Sequence, residues 1–218
     1  VGGATSALTK YMEQPAMEMA RATIESAIAD SGLARDRIQA LAVTPPGLAG
    51  HNTAMFVTRL GEHLGLDLRS LSCLENGGCS AALALRWAIF EVQSGRCEAA
   101  VALGIDQRLK EMPAKGELVD AFIDRTIHNT TSVYGPYEGS YGLGAPIPYY
   151  AMSAQRYMHD TGADASQLAW AAVRLREHAN LNPRAMFHDK KLSVEEILES
   201  KYLSPPLHLA DCSQFVSG

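Results

Sequence analysis

The hydrophobic pattern of the first hundred residues alternates between helical and strand-like spacing. Three segments carry apolar residues every three to four positions, as helices do: 15–31, 53–64 and 80–94. Three short segments are almost continuously apolar, as buried strands are: 38–44, 68–74 and 98–105. Pro15 suits a first helical turn and Gly32 a helix end. Because buried strands that alternate with helices form parallel sheets, the pattern predicts an α/β fold with a largely parallel sheet and helices on both faces.

The segment 80–94 differs from the other predicted helices because it is apolar on nearly every side. A helix without a polar face is normally buried on several sides. We therefore expect this helix to lie deep, between two sheets, and to be covered by a second half or a partner chain.

The pattern changes after Asp106. Residues 106–148 combine charges with a stretch rich in glycine and tyrosine, which predicts a long ordered loop. Helical spacing returns in three later segments: 149–161, 164–180 and 193–200. Residues 203–215 contain two prolines and then a strand-like return.

Composition and charge exclude several classes of protein. The chain has 218 residues, of which 47% are hydrophobic and 20% charged, as in soluble globular domains. Its net charge of −5 gives no basic field for nucleic acid, and no apolar run approaches the roughly 20 residues of a membrane helix. Four cysteines without a CxxC pair indicate neither a disulfide scaffold nor a zinc site, and favour a reduced, cytoplasmic protein.

The sharpest chemical feature is the sequence ENGGCSAA at residues 75–82. A predicted strand ends, two glycines permit a tight turn, and Cys79 stands where the next helix begins. The N–H groups of a helix N-terminus favour a thiolate and can hold an oxyanion. We therefore expect Cys79 at a strand-to-helix junction, with its N–H free and its side chain in a pocket. A small buried core cysteine is the equally compatible structural interpretation.

A nucleophilic cysteine needs a base, and the chain contains seven histidines. His128, in the long loop, is the best local candidate, because His63, His159 and His178 have polar helical neighbours typical of a solvated surface. The glycines of 135–144 lack the Gly-Lys-Ser/Thr ending of a phosphate loop and are interpreted as turns. Cys73, Cys97 and Cys212 are interpreted as structural.

Residues 75–106, ENGGCSAALALRWAIFEVQSGRCEAAVALGID, resemble the nucleophile-cysteine segment of thiolases, especially the sterol-carrier-protein type and its thiolase-like relatives. The opening VGGATSALTK is similar to the first strand of that family, residues 149–187 to its loop-domain helices, and residues 192–218 to its passage into a second half. The resemblance implies a thiolase-like half-fold with boundaries at 1–105, an inserted loop domain over 106–202, and a return over 203–218. It also implies that Cys79 is the nucleophile.

The resemblance ends at the mid-point of the family. We therefore expect a truncated chain without the histidine and the second, acid–base cysteine of the second half, and no turnover by these residues alone. Tyr149 and Tyr150 stand where biosynthetic thiolases carry a histidine–methionine pair. Together with His128, they are the predicted substrate-binding residues.

The implied function is an acyltransferase that acts on 3-oxoacyl-CoA thioesters in lipid metabolism, with coenzyme A as co-substrate and no resident cofactor or metal. A thiolase-like aldolase that cleaves a bulky β-hydroxyacyl-CoA is the alternative. It would work with an OB-fold or zinc-ribbon accessory subunit, tyrosines would handle the proton, and Cys79 would be a bystander. A non-catalytic scaffold is the third possibility. A homodimer or higher oligomer is expected, with dimerisation through the sheet region near residues 70–78.

Overall fold

The computed structural model describes residues 1–10, 14–44, 55–106, 141, 143, 146–213 and 216. The chain forms two compact units, one made of residues 1–110 with 215–218 and the other of residues 111–214. The predicted domain limits near 106 and 202 remain a prediction. None of the helices in the described ranges is both long and apolar enough to cross a membrane.

Within its described residues the first unit holds three α-helices and three strands, besides a short 3-10 helix over Arg35–Arg37. In chain order they are α1 (Ala16–Ser31), β1 (Ile38–Thr44), α2 (Phe56–Leu64), β2 (Ser70–Cys73), α3 (Ser80–Gln93) and β3 (Ala99–Gly104). Helix α1 follows Pro15 and ends at Gly32, which takes a left-handed φ of 67°. Such a conformation costs glycine little, which explains why the helix ends there. The opening strand implied by the resemblance is not formed, since no strand lies within residues 1–10.

The sheet of the first unit is parallel, with the strand order β2-β1-β3. Ala42 pairs with Ser72 on one side and with Ala102 on the other. One face carries large apolar residues, including Leu41, Val43 and Leu103, which join α1 and α2 in a single core. This architecture confirms the predicted α/β class.

The opposite face of the sheet carries small residues and receives α3. Successive residues of a strand point to opposite faces, so Ala42 and Ala102 face away from the large residues. On this face a Cβ added to Gly104 would lie 3.3 Å from the Cβ of Ala81. The buried positions of α3 include Ser80, Ala84 and Ala88. Small residues on both surfaces therefore let the helix lie close to the sheet.

The structure corrects the expectation that α3 is buried on every side. Leu85, Ile89 and Phe90 are each about half exposed. The sheet covers only the narrow face of small residues. The helix therefore has two apolar surfaces: one of small residues, which the sheet covers, and one of larger residues, which the first unit leaves exposed.

The second unit is described over its C-terminal part. It contains α4 (Pro146–Thr161), α5 (Ala165–Asn180), α6 (Val194–Glu199) and a hairpin of β4 (Tyr202–Ser204) and β5 (Leu207–His208). Asp164 and Ser193 begin α5 and α6 with capping boxes. A small core of Ala169, Val173 and Ile197 joins these two helices. The strand-like return predicted over 203–215 is instead this hairpin, followed by a 3-10 turn over Leu209–Asp211.

Candidate active site

The candidate site lies in the turn that connects β2 to α3. The Leu74 N–H still bonds to the Val43 carbonyl at 3.0 Å, so the chain leaves the sheet directly after it. Gly77 then takes a positive φ of 58°, which few residues other than glycine adopt at low cost. The Ser80 N–H closes the turn on the Gly77 carbonyl at 3.1 Å. The turn therefore places residue 79 directly before Ser80, the first residue of the helix.

Cys79 is the N-cap of α3, as the sequence predicts. Its carbonyl accepts the N–H of Leu83 at 3.1 Å, the first bond of the helix. Among the described residues its own N–H donates to no carbonyl or side chain, so it stays available to an incoming oxygen atom. The side chain is exposed, which differs from the expected pocket. The cause is the exposed turn of residues 75–78, which leaves the thiol uncovered within the first unit.

Asn76 holds the Cys79 sulfur from two sides. The thiol donates to the Asn76 carbonyl at 3.1 Å, and the Asn76 amide donates to Sγ at 3.3 Å. An amide donor at this distance can stabilise negative charge on sulfur, as do the free N–H groups of the helix end.

The Ser80 hydroxyl stabilises the turn through two hydrogen bonds. It accepts the Asn76 N–H at 2.7 Å and donates to the Gly77 carbonyl at 2.7 Å, while the residue is buried against the sheet. Sequence reasoning missed Asn76 and Ser80 as parts of the site. Asn76 stands three residues before the cysteine and Ser80 one residue after it, and this spacing is the sequence signal from which their role could have been predicted.

The other cysteines lie in environments that disfavour a thiolate. Cys73 is exposed as a residue, but partial desolvation of its thiol raises the pKa of Cys73, and the Glu75 carboxylate adds to the increase. Burial likewise raises the pKa of Cys97 and of Cys212. These three thiols are thus less ionised at neutral pH than a free cysteine.

The remaining predicted site residues belong to the second unit. Tyr149 is partly buried in the first turn of α4 and donates its hydroxyl to the Leu143 carbonyl at 3.4 Å. Tyr150, beside it, is 69% exposed. His128 lies outside the described residues.

Two further observations limit what the described ranges can bind. They contain no group of three or more His, Cys, Asp or Glu side chains placed to hold a metal ion. A cavity of about 400 Å³ opens beside β3, between α1 and the first eight residues. Its lining carries no titratable side chain and no cysteine, so it brings no acid, base or nucleophile.

Comparison with known proteins gives relatives of two kinds. No family model matches the chain. It is 27% identical over all of its 218 residues to a 17-hydroxy-3-oxo-4-pregnene-20-carboxyl-CoA lyase of Mycobacterium tuberculosis, of which it covers 54%. It is 27% identical to a steroid side-chain-cleaving aldolase of Thermomonospora curvata, with 99% of the chain and 53% of that protein aligned. An acetyl-CoA acetyltransferase of Methanothermobacter thermautotrophicus is 32% identical over 159 residues, which are 73% of this chain and 38% of that protein.

The fold comparison agrees with the relatives that align along the whole chain. The solved structure of the Ltp2-ChsH2(DUF35) aldolase superimposes with a TM-score of 0.73 at 24% identity, over 99% of this chain and 52% of that one. The chain spans about half the length of the relatives that it matches throughout. It is therefore a mixed α/β protein with a thiolase-like aldolase fold, whose relatives include both CoA-linked lyases and acetyl-CoA acetyltransferases.

Proposed function

We propose that the protein containing this chain is a thiolase-like aldolase that cleaves a carbon–carbon bond beside a coenzyme A thioester. The observation that carries the proposal is that relatives named as a carboxyl-CoA lyase and a side-chain-cleaving aldolase align along essentially the whole chain. The acetyltransferases align over about three quarters of it. The sterol-carrier type of thiolase is the finer family assignment that we propose.

A retro-aldol step requires a base for the β-hydroxyl group and donors for the thioester oxygen. When the hydroxyl proton leaves, the Cα–Cβ bond breaks, a carbonyl forms at Cβ, and the electron pair stays on Cα as the thioester enolate. Free N–H groups at a helix N-terminus are suited to holding the enolate oxygen. Tyrosines would handle the proton in this mechanism, and we take Tyr149 and Tyr150, the predicted substrate-binding residues, as the candidates. Cys79 then forms no covalent bond.

Thiolysis is the second candidate, and the Cys79 geometry favours it. An exposed thiol at a helix N-terminus, with the Asn76 amide 3.3 Å from Sγ, has the environment of a nucleophile. Cys79 would attack the 3-oxo carbonyl, the acetyl-CoA enolate would leave, and free coenzyme A would take the acyl group. In the thiolase family the activating histidine belongs to the second half, and within this chain His128 is the best local candidate for the base.

We propose a ringed or branched acyl group for either reaction. Six of the eight tyrosines fall within twenty-four residues, and such side chains form apolar walls with polar tips. They are Tyr134, Tyr137, Tyr141, Tyr149, Tyr150 and Tyr157. We also propose a homodimer and, in the aldolase reading, an OB-fold accessory subunit, since the similar solved structure is named as a complex with a DUF35 protein.

A matched pair of thioesters separates the two reactions in the full-length protein. Retro-aldol cleavage of 3-hydroxy-3-phenylpropionyl-CoA releases benzaldehyde and acetyl-CoA, whereas thiolysis of 3-oxo-3-phenylpropionyl-CoA with coenzyme A gives benzoyl-CoA and acetyl-CoA. We expect benzaldehyde. Benzoyl-CoA as the sole product would establish the acyltransferase instead. Binding without either product would support the non-catalytic scaffold.

Substitution of Cys79 provides the second criterion. Cys79→Ala should abolish thiolysis but leave aldol cleavage within a few-fold of the wild type. Cys73→Ala, an exposed cysteine six residues earlier, is the matched control and should affect neither. Loss of aldol cleavage in Cys79→Ala alone would contradict the bystander role. Acyl-CoA should protect Cys79 from iodoacetamide if the acyltransferase reading holds.

A further inference from the structure

We draw no further inference here: the strongest candidate, the apolar face of α3 on which Leu85, Ile89 and Phe90 are each about half exposed, carries none because nothing in the described part of the structure shows what covers it.

Discussion

Ser80→Ala tests whether one buried hydroxyl holds the turn that presents Cys79. Ser80 is 3% exposed, and its hydroxyl makes two bonds of 2.7 Å, one from the Asn76 N–H and one to the Gly77 carbonyl. A protein hydrogen bond contributes about 1 kcal/mol net, so the loss of both should lower the free energy of unfolding by about 2 kcal/mol. For a chain of this size that corresponds to a fall in Tm of roughly 4–8 °C.

The matched control is Ser94→Ala at the other end of α3. Ser94 is exposed, and its hydroxyl makes a single bond of 3.2 Å to the Glu91 carbonyl. Its loss should cost under about 0.5 kcal/mol, because water can replace an exposed bond. Both free energies are measured by urea unfolding followed by circular dichroism. A Ser80→Ala protein as stable as Ser94→Ala would refute the role given to the hydroxyl.

The same variant should change the chemistry of the thiol. The Asn76 amide reaches Sγ at 3.3 Å because the Ser80 hydroxyl anchors the Asn76 backbone. Without that anchor we expect alkylation of Cys79 by iodoacetamide to slow about fivefold, the equivalent of one hydrogen bond of about 1 kcal/mol. An unchanged alkylation rate in a destabilised protein would show that Ser80 supports the fold but not the site.

Three further predictions concern the site, the second unit and assembly. Asn76→Ala should slow alkylation of Cys79 about fivefold in peptide mass spectrometry, while Cys73, whose thiol pKa is raised by burial, reacts as before. The Ser166 hydroxyl, with two N–H groups of α5, holds the pKa of Asp164 below its usual value. The carboxylate should therefore stabilise the fold above the unfolded pKa of about 4 and lose that effect as pH falls through the lower folded pKa, so that the deficit of Asp164→Ala in urea unfolding shrinks in acid. We expect the full-length protein to dimerise through β2, and Cys73→Lys to give a monomer in light scattering; a monomeric wild type would contradict this.

Local signals were sufficient for the regular elements of the first unit. Helix α1 combines an apolar stripe with Pro15 before it and Gly32 after it; it ends as predicted and begins one residue later, since Pro15 is its N-cap. The strands are short apolar runs whose order with the helices dictates a parallel sheet. Periodicity and turn chemistry act over a few residues, which is why a single sequence reveals them.

The packing of α3 could not be predicted in the same way. Its sequence shows that most faces are apolar, but it does not show that the sheet takes Ala84 and Ala88 while Leu85 and Ile89 stay exposed. That choice depends on the small residues of the partner strands, such as Ala42 and Gly104, which lie far away in the sequence. Which helix residues are buried depends on both the helix and the sheet that it packs against, whereas the periodicity of the helix describes only the helix.

The Cys79 turn and the buried His208–Asp211 pair differ in how far the sequence predicts them, for the same reason. Cys79 was found because a glycine turn, a cysteine and a helix start are consecutive, so the sequence alone determines their geometry. His208 and Asp211 are also close in sequence, and Nδ1 of His208 lies 3.2 Å from Oδ2 of Asp211. Their burial, however, depends on the stacked ring of Tyr202 and on the packing of the Asp211 turn against α5 and α6. A histidine between two leucines, with an aspartate three residues later, was a usable signal, because apolar neighbours on both sides indicate burial and a buried imidazole needs a partner. What no local pattern contains is the burial itself: His208 is 2% exposed and the Tyr202 ring stacks on it, and this contact exists only in the folded unit.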